Sequence, residues 1–492
     1  MIEQIFNNIN NFLWSPILIT FCVLVGLYFT LRSRFLQVRH IKDMVGLLFK
    51  GKSSDEGVSS FQALSLALSG RMGVGNISGT ATAIAFGGPG AVFWMWVIAF
   101  FGSASAFIES TLAQIYKEKQ NGQYRGGPAY YIEKGLGIKW YAIIFAIATL
   151  IAMALLMPGV QSNSIAISLD NAFGASTVVT GLVLVAVLGL IIFGGIKRIV
   201  NVAQFIVPFM AVGYILVAIL TIVMNAEKIP AVFSLIFSSA FGGDSVFGGI
   251  LGAAIAWGVK RGLYASEAGQ GTGAHAAAAA EVSHPVKQGL VQSFSIYLDV
   301  FLVCTATAFM ILFTGQYNTI DENTGEYIVQ NISGVEEGPG YTQVAVDSIL
   351  PGFGSGFVAI ALLFFAFTTI MSYYYIAETN LAYLIKGKYS RIASSILKIL
   401  LLAATFYGAV KESKLAWIFG DIGLGVMVWL NYIAIVLLAK PAIIALKDYE
   451  RQKRKGLDPT FNSTKLGIKN ADFWADGYKV LKDDTLKDEK IL

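Results

Sequence analysis

The chain has 492 residues, of which 55% are hydrophobic and only 14% are charged, and its mean hydropathy is +0.64. Because a soluble domain carries about 25% charged residues, this composition excludes an ordinary soluble protein and indicates a polytopic membrane protein. The net charge of +5 is not a nucleic-acid signal, because most of the basic residues lie in the loops between the apolar runs. Both cysteines lie inside apolar runs, so no disulfide framework is predicted.

Eleven apolar runs are each near the length of about 20 residues that a spanning helix needs. The predicted spans are approximately 12–31, 61–86, 91–116, 140–169, 177–194, 202–223, 245–273, 290–313, 353–385, 392–410 and 415–438. Lysine and arginine residues follow the first span and recur in alternate connecting segments. Because basic loops stay in the cytoplasm, we expect the N-terminus outside and the C-terminal tail inside.

The second of these runs contains the stretch 69–79, which has four glycines together with Arg71 and Asn76. Each glycine weakens a helix by roughly 1 kcal/mol relative to alanine. Inside a bilayer, backbone leaves the helical form only where it lines a cavity or is buried in protein. We therefore predict a helix broken at mid-membrane, whose free N–H groups bind an anionic group and whose free carbonyls bind a cation. The alternative is that these glycines only allow close helix packing.

A second glycine-rich run, 245–273, is predicted to be interrupted near 253–257. If the first span is set aside, ten spans remain, and the interrupted ones are the first and the sixth. Because five is an odd number, the second group of five runs in the inverted orientation. Interrupted helices at matching positions of inverted halves point to a transporter site at mid-membrane. The predicted regions are 1–57 (extra helix and loop), 58–224 (first repeat), 245–440 (second repeat) and 441–492 (tail).

Several motifs occur in the order expected for a known family. They are Leu68-Ser-Gly-Arg-Met-Gly-Val-Gly-Asn-Ile-Ser-Gly79, Gly87-Gly-Pro-Gly-Ala-Val-Phe-Trp-Met-Trp96, Gly126-Gly-Pro-Ala-Tyr130, Trp257-Gly-Val-Lys-Arg-Gly262 and Glu267-Ala-Gly269. Over about 11–439 the chain resembles the alanine or glycine:cation symporter family. The resemblance implies an all-α LeuT-type fold of 5+5 inverted repeats, with one extra N-terminal helix and eleven transmembrane helices. It also implies a multi-pass protein of a prokaryotic plasma membrane.

The function that the resemblance implies is uptake of a small neutral amino acid, alanine or glycine, driven by sodium or sometimes by protons, with no cofactor. Some relatives take glutamine. The chain departs from the family at two positions, because the family often has asparagine where Ser266 stands and tryptophan where Tyr373 stands. Arg71 is not universal in the family. These departures leave substrate size and the coupling ion open.

An amino-acid zwitterion suits the predicted break. Its carboxylate needs N–H donors, which we place at Val74 and Gly75, where glycine permits close approach. Its ammonium needs oxygens from near Arg71 and from the second break. With Gly73 and Gly75 as one wall of the pocket, an aromatic residue such as Trp257 is expected on another.

By resemblance, Asn76 and Gln161 contribute amides to the pocket, and Tyr373 replaces the larger tryptophan. An interhelical hydrogen bond is the alternative for Gln161.

A sodium site is predicted from five oxygen donors. Thr368 and Thr369 lie three and four residues after Phe365, so both hydroxyls and that carbonyl can face one point. The first break adds the freed carbonyls of Ser69 and Met72, and the family resemblance places sodium there. The alternative is that both threonines bond back to carbonyls one turn earlier.

Other polar residues are not assigned to the substrate or sodium site. His40, His275 and His284 are expected in loops without metal-ligand spacing, so no metal other than sodium is predicted. Glu267 with Lys260 and Arg261 fits an inner gate or a structural ion pair.

Asp299 and Glu109 lie in spans, where helix–helix hydrogen bonds or a proton relay are the options. An ion channel would share this topology, whereas an enzyme is not predicted because no sealed site joins a nucleophile to a base.

Overall fold

The computed structural model describes residues 2–49, 53–54, 56–120, 122–322, 324–411 and 413–477. Helices dominate this part of the chain, and its strands form two short antiparallel hairpins. Positions 1, 50–52 and 55 of the predicted N-terminal region, and 478–492 of the predicted tail, lie outside the described residues.

The N-terminal region begins with a helix pair that bends at Pro16. The helices of the region are α1 (Ile2–Leu13), α2 (Pro16–Arg32), α3 (Leu36–Arg39) and α4 (Ile41–Leu48). Proline at the first turn of α2 costs no hydrogen bond, because that N–H has no partner within the helix. Residues Gln4–Arg32 together are long and apolar enough to cross a membrane.

The next part of the chain contains the first predicted break. Its elements are α5 (Ser60–Arg71), α6 (Thr80–Gly87), α7 (Gly90–Ile115), β1 (Glu118–Gln120), β2 (Gln123–Arg125), α8 (Pro128–Tyr131), α9 (Lys139–Ile151), α10 (Met157–Phe173), α11 (Thr177–Ile192) and α12 (Ile196–Met224). Wider π turns cover Gly75–Gly79, Ile132–Leu136 and Ala152–Leu156.

The remainder contains the second break. Its elements are α13 (Ile229–Ala240), α14 (Leu251–Ser266), α15 (Thr272–Ala279), α16 (Pro285–Ile296), α17 (Thr305–Thr314), β3 (Asn318–Ile320), β4 (Tyr327–Gln330), α18 (Pro339–Asp347), α19 (Gly354–Leu384), α20 (Ser390–Val410), α21 (Ser413–Leu437) and α22 (Ala439–Arg454). A π segment, Tyr297–Cys304, joins α16 to α17. In the core, α7 packs against α14 and α16, and α19 packs against α5 and α10.

Eight helices of the described residues are long and apolar enough to span a membrane. Helix α11 is also apolar but shorter, at 16 residues. The two glycine-rich runs form the interrupted pairs α5–α6 and α14–α15. A predominantly helical protein with several candidate membrane spans is therefore confirmed, whereas the count of eleven and the 5+5 inverted repeat stay predictions.

The first break lies within the predicted stretch. Helix α5 begins with a capping box, in which Ser59 and Gln62 each bond the other's backbone N–H, and it ends at Arg71. Met72 then leaves the helical region with ψ of 79°. The chain resumes as a π turn at Gly75. The predicted mid-run interruption is thus confirmed.

The position predicted for the second break is wrong. Residues 253–257 lie inside α14, which continues unbroken to Ser266. The break follows, where Glu267, Gly269 and Gly271 all have positive φ, of 51°, 79° and 86°. Two earlier glycines, Gly258 and Gly262, serve helix packing instead. A methyl group on Gly258 would lie 2.5 Å from the carbonyl oxygen of Ala91 on α7.

Three segments outside the predicted spans, 226–244, 314–350 and the one around His275, contain helices or strands. The segment 226–244 contains α13, and 314–350 contains the β3–β4 hairpin and α18. His275 lies within α15, fully buried, with Nε2 2.9 Å from the amide nitrogen of Asn380. All three histidines are buried.

The tail folds back onto the membrane-spanning part. Trp474 is fully buried, and its indole N–H donates to the carbonyl oxygen of Gln114 at the end of α7 (2.7 Å). The ammonium of Lys117 lies 4.5 Å from the ring centre of Phe473 and 4.3 Å from that of Tyr124. The described tail is therefore part of the folded unit.

We expect Trp474→Ala to lower the melting temperature, because truncating a buried tryptophan costs about 3 kcal/mol or more. Leu457→Ala is the matched control, since Leu457 lies in the same tail but is 56% exposed. The measurement is thermal unfolding of the purified protein in detergent. Equal melting temperatures for the two variants would contradict the docking of the tail.

Candidate functional site

Two side chains accept hydrogen bonds from N–H groups at the first break, where the N–H of Gly73 also donates to the carbonyl oxygen of Arg71 (2.8 Å). The N–H of Gly73 donates to Oδ1 of Asn76 (2.9 Å), and the N–H of Val74 donates to Oε1 of Gln161 (3.1 Å). In a membrane protein such donors need a partner inside the protein. Amide oxygens therefore occupy the positions where we expect a ligand carboxylate to accept.

Gln161 links the break to α19. Its Nε2 donates to the hydroxyl of Tyr373 at 3.3 Å. The residue lies on α10 just after Pro158 and Gly159, where a π turn has ended and α10 begins. Five predicted substrate residues, Gly73, Val74, Asn76, Gln161 and Tyr373, therefore come together, all of them buried.

The two glycines of the break have different neighbours. A methyl group on Gly73 would lie 2.5 Å from Oγ1 of Thr369 and 2.9 Å from Oε1 of Gln161. A methyl group on Gly75 would instead lie 3.0 Å from the ring of Tyr264 on α14. Gly73 thus borders the polar centre, whereas Gly75 lets α14 approach.

Trp257 is not brought to this centre. Its ring stacks on Phe86 at 4.9 Å, and its indole N–H donates to Oε2 of Glu322 (2.8 Å) in the turn of the β3–β4 hairpin. The aromatic side chain that approaches the break from α14 is Tyr264, which sequence reasoning did not single out.

Four of the five oxygen donors predicted for sodium meet around the hydroxyl of Thr369, and the fifth, the hydroxyl of Thr368, bonds only the carbonyl of Phe365 among the described residues. Oγ1 of Thr369 lies 2.8 Å from the Ser69 carbonyl oxygen and 3.4 Å from that of Met72. Both threonine hydroxyls lie 3.0 Å from the carbonyl oxygen of Phe365. All five residues are buried.

The hydroxyl of Thr369 has more hydrogen-bond acceptors around it than it has protons to donate. The hydroxyl of Thr369 has one proton but faces three carbonyl oxygens, from Ser69, Met72 and Phe365. Back-bonding to the preceding turn explains the contact with Phe365 but not the contacts across to α5. Several oxygens without carboxylates suit a small hard cation. The described residues contain no group of histidine, cysteine and acidic side chains that could hold another metal.

Ionisable side chains lie buried around both breaks. Arg71 donates to Oγ of Ser295 and to Oε1 of Gln292 (3.3 Å), while its Nε and Nη2 have no hydrogen-bond partner. A methyl group on Gly273, in α15 just after the second break, would lie 2.3 Å from Nη2. The guanidinium therefore fills the space between the two breaks.

Three carboxyl groups share this environment. Asp299 accepts from Nδ2 of Asn76 (2.6 Å), and Glu109 accepts from the N–H of Gly271 (3.0 Å). Glu267 is buried beside Gly70, where a methyl group would lie 3.2 Å from its Oε2. One guanidinium cannot neutralise three buried carboxylates, and unpaired buried charge is costly. A proton or a cation must therefore share this cluster.

Lys260 and Arg261 pair with Asp421 rather than with Glu267. Lys260 Nζ lies 2.6 Å from one carboxylate oxygen, and Arg261 Nη1 lies 3.0 Å from the other. These two ion pairs join α14 to α21. They lie near Trp257, whose indole N–H contacts the β3–β4 hairpin. Sequence reasoning did not identify Asp421 as the partner of these cations, although an acidic residue within an apolar run indicates a buried ion pair.

The comparisons with known proteins agree over nearly the whole chain. Residues 1–463 match the model of the sodium:alanine symporter family. YrbD of Bacillus subtilis (strain 168), provisionally named a sodium/proton-dependent alanine carrier protein, is 69% identical over 471 residues, which cover 96% of this chain and 97% of YrbD. The sodium/proton-dependent alanine carrier protein of Bacillus sp. (strain PS3) is 63% identical over 436 residues, which cover 89% of this chain and 98% of that protein.

One solved structure is similar in fold. It is the crystal structure of the Eremococcus coleocola manganese transporter in complex with an aromatic bis-isothiourea substituted compound, with a TM-score of 0.51. The match covers 85% of this chain and 94% of that chain at 13% sequence identity. At this identity the likeness concerns the fold and not the substrate.

We expect Gly73→Ala to abolish the stabilisation that sodium gives. The added methyl group displaces Oγ1 of Thr369 and Oε1 of Gln161, which lie within 2.9 Å of its position. Gly213→Ala is the control, because no atom lies within 4 Å of the added carbon there. The measurement is the melting temperature in sodium chloride minus that in potassium chloride. A sodium shift in Gly73→Ala equal to that of Gly213→Ala would contradict the site.

Proposed function

Because the chain belongs to the sodium:alanine symporter family, we propose that it carries a small neutral amino acid, alanine before others, into the cell together with sodium. The chain is a transporter and not an enzyme, as the family resemblance implied. The observation that supports the proposal most directly is the pairing of two sites at one helix break. Carbonyls of Ser69 and Met72 meet Thr369, while the N–H groups of Gly73 and Val74, next in the chain, donate to amide side chains.

The substrate carboxylate accepts from the N–H of Val74 in place of Gln161, whose amide then turns to the ligand. The positive end of the helix dipole that begins there favours an anion. The ammonium binds oxygens at the break, among them Oδ1 of Asn76. This arrangement uses only the polar ends of an amino acid, so the space for its side chain decides selectivity.

That space is small on two sides, since Gly73 touches Gln161 and Tyr264 approaches Gly75. Alanine and glycine fit such a site. Tyr373 bonds Gln161 through its hydroxyl, and movement of this pair would admit glutamine, which is the alternative substrate.

Sodium provides the coupling, because its ligands come from two elements. Ser69 and Met72 belong to the end of α5, and Phe365, Thr368 and Thr369 belong to α19. An ion that bridges them favours the conformation in which α5 lies against α19, and the substrate donors form in that conformation. One charge moving through 100 mV releases about 2.3 kcal/mol, and a tenfold sodium gradient adds about 1.4 kcal/mol. Together they sustain accumulation of roughly a few hundred-fold with one ion per substrate.

Proton coupling is the second candidate, and the buried carboxyl groups favour it. Asp299 accepts a hydrogen bond from Asn76, and Asn76 in turn accepts one from the N–H of Gly73. Protonation of Asp299 therefore acts on the substrate donors through one side chain. Uptake into proteoliposomes driven by a sodium gradient alone, or by a pH gradient alone, separates the two candidates.

We also propose the architecture that places this site at mid-membrane. Eleven helices span the plasma membrane of a prokaryote, and 58–224 and 245–440 form inverted repeats after one extra helix. The N-terminus lies outside and the C-terminal tail in the cytoplasm. Support comes from the interrupted pairs α5–α6 and α14–α15, each the first helix of its repeat.

We predict that Thr369→Val raises the sodium concentration for half-maximal alanine uptake at least tenfold, because a cation loses one ligand while the side-chain shape is kept. Thr369→Ser retains the hydroxyl and should restore most of the affinity. Thr379→Val is the control, since Thr379 lies on the same helix, is buried and donates to the carbonyl of Tyr375 (3.0 Å). An unchanged sodium dependence in Thr369→Val would remove the cation site.

We predict that unlabelled alanine and glycine compete best for labelled alanine uptake by the wild-type protein, with leucine and phenylalanine weak because the pocket walls are close. Competition is measured in proteoliposomes across the neutral amino acids. Strong competition by phenylalanine without competition by glycine would contradict the small pocket. Alanine accumulation above the external concentration also separates this symporter from a channel.

A further inference from the structure

A basic cavity of about 470 Å³ lies where the first span meets the tail helix α22. Six cations line it: Arg32, Arg34, Arg39, Lys447, Arg451 and Arg454. The acidic lining residues are Asp448 and Glu450, and isoleucine and leucine side chains complete the wall. The cavity is remote from the helix breaks and has no part in the transport site.

Both acids of the cavity are already engaged. Glu450 pairs with Arg39 (2.8 Å) and lies 3.0 Å from His40, and Asp448 pairs with Arg451. Burial raises the pKa of both carboxyls, but hydrogen bonds, from His284 first at Asp448 and from His40 first at Glu450, outweigh it and hold each pKa below its ordinary value, so both stay ionised.

Four lining cations remain without an ion pair among the described residues, namely Arg32, Arg34, Lys447 and Arg454. With both acids neutralised, the cavity keeps a charge of about +4. Guanidinium groups match phosphate oxygens in pairs, so a phosphate-bearing anion is the ligand whose chemistry fits.

The backbone beside the cavity is held in an unusual turn. Arg34 and Phe35 are consecutive non-glycine residues with φ of 57° and 55°. The turn is fixed by Arg39, which donates to the carbonyl oxygens of Ser33 (2.9 Å) and Arg34 (2.6 Å). Strained backbone persists where the surroundings enforce it, commonly at ligand sites. Here it puts Arg34 on the cavity wall.

The surface next to the cavity is apolar. Leu31, Phe35 and Val38 are 56%, 44% and 56% exposed, and they lie at the end of the first membrane span. A free phosphate would use only the charged wall. A phospholipid would use both, with its headgroup in the cavity and its acyl chains along these side chains.

We propose that this cavity binds the headgroup of an anionic phospholipid, which ties the first span to the tail helix. The four unpaired cations bind the phosphate and the exposed apolar side chains bind the acyl chains. The site adds a lipid ligand to the molecule and is independent of the proposed transport activity.

The test compares melting temperatures of the full chain in phosphatidylcholine with and without phosphatidylglycerol. The wild type should melt at a higher temperature with phosphatidylglycerol, and Arg34→Gln/Arg454→Gln should lose at least half of that shift. Lys388→Gln/Arg391→Gln is the control, because these exposed cations lie outside the cavity. An equal lipid shift in Arg34→Gln/Arg454→Gln would overturn the proposal.

Two further arms make the result specific. Native mass spectrometry should find phosphatidylglycerol retained on the wild type and the control, and less on Arg34→Gln/Arg454→Gln, even if that variant is less stable overall. Inorganic phosphate should give no comparable shift. A phosphate shift as large as that of phosphatidylglycerol would contradict a lipid ligand.

Discussion

A backbone that leaves the helical form inside a membrane must find its hydrogen-bond partners within the protein, and the first break satisfies this constraint with side chains from other helices. The carbonyls of Ser69 and Met72 meet Thr369 of α19, and the N–H of Val74 meets Gln161 of α10. The break is therefore stable only while α5, α10 and α19 stay together. In the proposed function, sodium binds between α5 and α19 and holds them in this arrangement.

The second break is held by a different kind of contact. Glu109 of α7 accepts from the N–H of Gly271 and from Nδ2 of Asn431 on α21 (2.9 Å). Arg71, where the first break begins, reaches Gln292 and Ser295 of α16. Buried charges thus connect the two interrupted helices to α7 and α16. A change of protonation in this cluster would act on both breaks at once.

The sequence predicted the first break and several of the side chains that bond to it, because each signal was local. Glycines with Arg71 and Asn76 in one apolar run marked the break, and the spacing of Phe365, Thr368 and Thr369 put three oxygens on one helix face. That face could be joined to the break only through the family resemblance. The hydrogen bonds of Thr369 now join them directly.

The rest depended on tertiary packing. In the second glycine-rich run, composition alone did not distinguish Gly258, which lets α14 approach α7, from Gly271, which turns the chain at positive φ. Trp257 was expected in the pocket because it is aromatic, but its partner Glu322 lies 65 residues away in sequence. The pairing of Asp421 with Lys260 and the docking of Trp474 are likewise contacts between distant parts of the chain.

In the proposed function, a cation at Thr369 stabilises the amino-acid site at Gly73 and Val74. Equilibrium binding of labelled alanine to the purified protein, in sodium and in potassium at equal ionic strength, measures this coupling. Because coupling between two ligands is reciprocal, we expect an alanine dissociation constant at least tenfold lower in sodium, and equally a tighter sodium site when alanine is bound. The same alanine affinity in both salts would show that the cation and the amino acid bind independently, which would contradict the proposed coupling.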